Sequence, residues 1–162
     1  MKKLILLLLT LILSLPITAN AQLLKVEQTV FGMDCAPCAY GLEKRIHKLD
    51  GVAKANVSLN KGLLEIFLLE NNSLTLSVIR DAVKDSGFEP QSAEITAKGV
   101  LRKDNEGRFV LNVSEQSQLL LHHDSSLFNK LNEMIGKSIV VSGEIGEDSN
   151  SKLNVLTYTL NE

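Results

Sequence analysis

From residue 23 onward, apolar and polar positions follow two alternating periods. Leu24, Val26 and Val30 fall on one face of residues 23–31, with Lys25, Glu27 and Thr29 on the other, which predicts a half-buried strand. Gly32 ends it. Ala39, Leu42, Ile46 and Leu49 then recur at helical spacing over residues 37–49. Pro37 suits the first turn of that helix, and Asp50-Gly51 stops it. Ala53, Ala55, Val57 and Leu59 alternate with Lys54, Asn56 and Ser58. Asn60-Lys61-Gly62 is a turn, and Leu63 to Leu69 returns as a second strand. Asn71-Asn72-Ser73 offers caps for a second helix, which buries Leu76, Ile79 and Val83 and stops at Ser86-Gly87. Phe88 to Glu94 is a fourth strand. The order is β-α-β-β-α-β, a ferredoxin-like arrangement.

The pattern changes after residue 94. Ile95 to Leu101 reads as a strand with Gly99 as a bulge or bend, and Asp104-Asn105-Glu106-Gly107 as the turn that follows. Arg108 to Val113 and Ser117 to His122 are further strands. Asp124-Ser125-Ser126 starts a helix with Leu127, Phe128, Leu131 and Ile135 on its apolar side, ended by Gly136. Ser138 to Ile145 and Leu153 to Leu160 complete the chain. Three strands, a helix and two more strands is the order of a small OB-like barrel. The expected fold class is therefore α+β, a ferredoxin-like βαββαβ domain at 22–94 followed by a mostly-β barrel with one helix at 95–162, with no long linker and the fourth strand running almost directly into the barrel.

Residues 1–21 have a different character. Lys2 and Lys3 precede a nearly unbroken apolar run from Leu4 to Leu15, then Pro16 and a small-x-small Ala19-Asn20-Ala21. That is a cleaved export signal, too short for a membrane span. The expected location is periplasmic or secreted, with no membrane span after cleavage. Cleavage removes two lysines and no acid, so the formal charge moves from −2 to −4. This acidity argues against nucleic acid as a partner. Tryptophan is absent and aromatics make up 4% of the chain, so the core must be aliphatic.

Candidate chemistry is concentrated in Gly32-Met33-Asp34-Cys35-Ala36-Pro37-Cys38, which holds both cysteines of the chain. A disulfide here closes a very small loop and constrains the unfolded chain far less than a long-range bridge. Metal binding and thiol redox chemistry are better reasons for the spacing. With one cysteine on the loop and one in the first helical turn, both sulfurs can face a single ion. A helix N-terminus favours the thiolate. Thiolates suit Cu(I), Hg(II), Zn(II) and Cd(II), and a two-sulfur set suits two-coordinate Cu(I) or Hg(II). Such an exposed site also suits handing the ion on, since an incoming thiolate can attack an under-coordinated metal.

The motif resembles the G-M-x-C-x-x-C of heavy-metal-associated domains, found in copper chaperones, metal-exporting P-type ATPases and the periplasmic mercury-binding protein. Supporting matches are Leu42-Glu43, Gly51-Val52, Val57-Ser58-Leu59-Asn60, Ala82-Val83 and Gly87-Phe88. The resemblance covers residues 23–94. It implies metal coordination by Cys35 and Cys38, with Met33 tucked into the core beneath the loop and Phe88 near the site. An acid at the position of Asp34 resembles the zinc-, cadmium- and lead-exporting ATPases, where it supplies a third ligand; Asp34 is equally suited to capping the helix. Pro37 departs from the family's commoner small residue.

The expected function is non-enzymatic binding and transfer of a soft heavy-metal cation, to or from a membrane metal transporter or another metal-binding domain. One alternative is a thiol–disulfide protein using the same pair, because Cys35-Ala36-Pro37-Cys38 superficially resembles a thioredoxin-type dithiol. Another is an interaction protein acting through residues 95–162. His122-His123-Asp124 is a second metal-like cluster, but adjacent histidines on a strand face opposite ways, and polar residues leading into a helix cap explain it better. His47 reads as solvated. Tyr40, just past Cys38, reads equally as a shield for the site or as ordinary packing.

Overall fold

The computed structural model describes residues 21–113 and 117–161. The export segment expected over residues 1–21 lies, but for Ala21, outside them. Among the described residues no helix is long and apolar enough to cross a membrane.

The first half forms the expected order: β1 (Gln22–Phe31), α1 (Ala36–His47), β2 (Val52–Ser58), β3 (Leu63–Leu68), α2 (Leu76–Lys84) and β4 (Glu89–Lys103). The strands lie side by side as β2-β3-β1-β4, each antiparallel to its neighbours. Register sorts their side chains into rows. Ala55, Ile66, Val26 and Ile95 are directly opposite one another across the four strands, and all are buried. The helices pack Ala39, Leu42, Ile46, Ile79 and Val83 into the same core. The next row, on the opposite face of the sheet, is Asn56, Glu65, Glu27 and Glu94.

Several local expectations change. In β2 a register shift between Val52 and Lys54 buries Val52 and leaves Ala53 exposed. Leu24 is not the core residue of β1: a register shift between Leu23 and Lys25 reverses the alternation, so Leu23 is buried and Leu24 half-buried. The cap of α2 is Thr75, whose hydroxyl accepts from the Val78 N–H, not Asn71-Asn72-Ser73. Asn71 takes a positive φ of 61°, and the Asn72 amide bonds Leu69 O and Leu23 O. The asparagines make the turn that leads to the helix.

The second half does not begin with a new strand. The junction expected between Glu94 and Ile95 falls inside β4, which runs unbroken for 15 residues. Ala93, Ile95, Ala97 and Leu101 keep one parity and are all buried. Gly99 is neither bulge nor bend. The β4–β7 register is regular from Ala93 opposite Ile145 to Val100 opposite Ser138. Instead, a Cβ at Gly99 would collide with Asn112 O on the neighbouring strand, so the position needs glycine for close approach.

β5 (Phe109–Asn112), β6 (Gln118–His122), α3 (Ser125–Glu133), β7 (Ser138–Ile145) and β8 (Lys152–Leu160) follow. β4 pairs β5, β5 pairs β6, β6 pairs β8 in parallel, β8 pairs β7, and β7 returns to β4. This closes a five-stranded barrel. α3 buries Leu131, while Phe128 stays 45% exposed on the same helix. Because β4 takes β1 on one edge and β7 on the other, the glutamate row extends onto the barrel: Glu94 faces Glu144.

A buried side chain joins the halves a second time. Arg80 of α2 is 3% exposed. Its Nε donates to Gln28 Oε1 at 3.1 Å, and its Nη2 to Gln91 O at 2.9 Å and Gly146 O at 3.0 Å. Nη1 donates to Ser149 O and to Asn150 Oδ1. The acceptors come from β1, β4 and the β7–β8 loop, and none is a carboxylate. Burial pushes the Arg80 guanidinium pKa down, and nearby Glu147 pulls it back up.

Candidate metal centre

The loop begins where β1 runs out of partners. Gly32 adopts φ +86°, a conformation that favours glycine and turns the chain out of the strand. Met33, the next residue, is 6% exposed and belongs to the main core. The expectation that it anchors the loop holds. Asp34 is exposed, and its backbone N–H donates to Gly32 O at 3.1 Å.

Cys35 is the N-cap of α1, with extended φ/ψ of −131° and 137°. Its Sγ accepts a hydrogen bond from the Cys38 N–H at 3.1 Å, so a sulfur occupies the place usually taken by a serine or aspartate oxygen. This corrects the expectation that Asp34 caps the helix. Ala36 and Pro37 are the first two helical residues and Cys38 the third. Proline costs nothing there, because its missing N–H would have no helical acceptor. The two Cα atoms lie 5.2 Å apart, and the sulfurs are joined as a disulfide. Cys35 is half-buried and Cys38 exposed. The site therefore faces solvent on one side and the core, through Met33, on the other.

Asp34 stands exposed beside the pair. Among the described residues no group of three or more His, Cys, Asp or Glu side chains is arranged to hold a metal. The extended backbone at Cys35 explains this, since successive side chains on extended backbone point opposite ways. The first turn of α1 carries no acid, whereas Lys44, Arg45 and His47 lie in its last turn. His47 is exposed, as expected. Tyr40 is 61% exposed beneath Lys44, whose Nζ is 5.3 Å from the ring centroid. It is surface, not core packing. Phe88 packs half-buried against the core just before Glu89, the residue paired with Phe31 at the end of β1.

The second metal-like cluster, His122-His123-Asp124, forms no metal-holding group among the described residues. The His123 ring packs edge-on to Phe109, centroids 5.2 Å apart, and Asp124 supplies the N-cap position of α3. Sequence reasoning missed Arg80 and Gln28. Each has a local signal, since Gln28 shares the parity of Val26 and Val30 and Arg80 the helical face of Leu76, Ile79 and Val83, but polarity argues against burial at both.

Residues 28–89 match the family model of the heavy-metal-associated domain. The chain is similar to the copper chaperone CopZ of Staphylococcus saprophyticus, 33% identical over 60 residues that cover 37% of this chain and 87% of that protein. It is 32% identical over 87 residues to the copper-transporting ATPase RAN1 of Arabidopsis thaliana, covering 54% of this chain but 8% of the ATPase. A solved copper-binding domain from HMA7, a P-type ATPase, is 32% identical and aligns over 44% of this chain and 92% of that domain, with a TM-score of 0.39. With the motif seated at the start of α1 and the βαββαβ order around it, the chain belongs to the heavy-metal-associated domain family through its first half.

Proposed function

We propose that this protein is a non-enzymatic carrier of a soft, two-coordinate metal ion, with Cu(I) as the favoured cargo and Cys35 and Cys38 as its ligands. The observation that carries the reading is the meeting of the two sulfurs at the N-terminus of α1, on an exposed loop backed by Met33. Sulfurs held this close can both reach one ion once their bond is reduced. That reduction takes two electrons and two protons from an external reductant and gives two thiols, whose protons are released to solvent as the metal binds the thiolates. The N–H groups of the first helical turn favour the resulting negative charge. Exposure of Cys38 leaves room for a thiolate of a receiving protein to attack the ion. A transfer partner of this chemistry is another metal-binding domain or a membrane metal transporter. The copper chaperone and copper-transporting ATPase among the relatives support copper. Zn(II) and Cd(II) need further ligands, which Asp34 supplies only if the loop rearranges.

An exported location rests on the basic, apolar and small-x-small pattern of residues 1–21. For the second half we infer an OB-type barrel, supported by the circuit β4-β5-β6-β8-β7, the parallel β6–β8 pair and the helix between β6 and β7. The bonded sulfurs favour one further reading, a thiol–disulfide protein.

Anaerobic titration of the reduced protein with Cu(I), Hg(II) and Zn(II) against competing chelators tests the proposal. The expected result is one tightly bound Cu(I), lost in Cys35→Ser and in Cys38→Ser and retained in Asp34→Ala. Unchanged affinity for every metal in Cys35→Ser sinks the carrier reading. Catalytic disulfide reduction or isomerisation without metal establishes the other.

A further inference from the structure

We propose that the barrel carries a second binding site, a cleft of about 380 Å³ between β5, β6 and the start of α3, for a small organic anion with a flat aromatic body. Arg108, Phe109, His122, His123, Phe128 and Lys152 line it, and no carboxylate does. The volume lies within the range of small-molecule sites.

The cleft has an aromatic floor and wall. Phe109 is 1% exposed, whereas Phe128 is 45% exposed. Their centroids are 5.6 Å apart, and His123 lies 5.2 Å from Phe109 and 6.0 Å from Phe128. Phe128 presents apolar surface to a concavity, where a flat ligand body can replace water.

Charge determines the kind of ligand. Lys103 Nζ sits 5.0 Å from the Phe109 centroid and 5.4 Å from that of Phe128, held by a hydrogen bond to Asn132 Oδ1 at 2.9 Å. Lys103 and Lys152 enter no ion pair among the described residues. Arg108 is held by Asp104 at 2.7 Å and Glu106 at 2.9 Å, two carboxylates that more than offset its charge and fix its position. Lys152 in the lining and Lys103 against the two rings therefore outweigh the surplus carboxylate beside Arg108 by one positive charge. A neutral apolar ligand would leave that charge uncompensated. A polyanion is disfavoured by the net charge of −4 expected after export.

The site is separate from the Cys35–Cys38 loop and does not rest on the metal reading. Its test is fluorescence titration of the purified, oxidised protein with anilinonaphthalene sulfonate, a flat aromatic anion, beside the uncharged phenylnaphthylamine. Saturable binding at one site is expected for the anion, with at least about tenfold weaker binding of the neutral dye. Phe128→Ala and Lys152→Glu should each weaken the anion by at least about tenfold while far-UV circular dichroism stays native, and Lys152→Arg should restore it. Non-saturable binding, equal binding of the two dyes, or equal affinity in the natively folded variants overturns the proposal.

Discussion

Arg80 and Gln28 meet through a single hydrogen bond, Nε to Oε1 at 3.1 Å, between side chains 3% and 0% exposed. Gln28 spends its amide N–H groups on Thr29 O, Gln91 O and Ser92 O, where the β1–β4 register slips. Arg80 reaches past it to the loop between β7 and β8. One buried charge thus ties the strand that leads to the cysteines, the helix behind it and the barrel. With its acceptors all amides and carbonyls, the guanidinium hydrogen-bonds no carboxylate among the described residues, and Glu147 acts on it only through space.

Arg80→Met should remove every one of these donors and leave buried oxygens unpaired. The expected loss is about 3 kcal/mol, which for a chain of this size lowers Tm by about 6–12 °C. Hydrogen exchange should quicken most at the amides of 149–152. A melting point within a degree of wild type would show that the network carries no net stability.

The glutamate row predicts a pH response. Lys25 bridges Glu65 at 2.9 Å and Glu27 at 3.1 Å. Hydrogen bonds from Lys25 and then Asn56 hold the Glu65 carboxyl below its ordinary 4.5. Glu65 and then Glu27 hold Lys25 above its ordinary 10.5. A depressed carboxyl contributes stability that is complete above 4.5 and lost as pH falls through its folded value. The raised ammonium contributes stability that is complete below 10.5 and lost as pH rises through its folded value. Tm should fall on both flanks, and Lys25→Met should flatten both. Flanks as steep in the variant as in wild type would assign the response to other groups.

Two glycines should respond to alanine with opposite signs. At Gly99 the added methyl meets the backbone of Asn112, so Gly99→Ala should cost about 2 kcal/mol and loosen the β4–β5 pair. At Gly41, within α1, nothing lies within 4 Å of the added atom. Gly41→Ala should stabilise by about 1 kcal/mol through helix propensity. Chemical denaturation of both variants reads the two signs.

Met33 links the core to the metal loop. Met33→Ala should cost about 2–3 kcal/mol and weaken Cu(I) retention against a chelator, whereas Met33→Leu should preserve both. A destabilised Met33→Ala that still holds Cu(I) like wild type would separate support of the loop from support of the fold.

Much of this fold is readable along the chain, because its elements keep clean periods. β7 occupies Ser138–Ile145 as the alternation predicts, and α1 begins within a residue of its expected start. The cysteines are legible because their chemistry is local: a short motif at a strand-to-helix step. What sequence hides is non-local. The extra residue at Leu24 reverses the parity of β1 only because a neighbouring strand imposes the register. Arg80 falls on the apolar face of its helix, but its acceptors in the β7–β8 loop, 66–70 positions later, cannot be read from the chain. The continuity of β4 did have a signal. Ala93, Ile95, Ala97 and Leu101 keep one parity with no turn residue at 94–95, and only the change of pattern beyond suggests a break there.

That continuity sets how the two halves behave as a machine. Modules joined by a flexible linker must search for each other, and a partner gripping one finds the other at an effective concentration set by the tether. Here a single strand is a wall of the barrel and a rib of the metal domain, pinned again at Arg80. A partner that grasped the barrel would therefore hold the sulfurs at a fixed bearing, with no tether to search through.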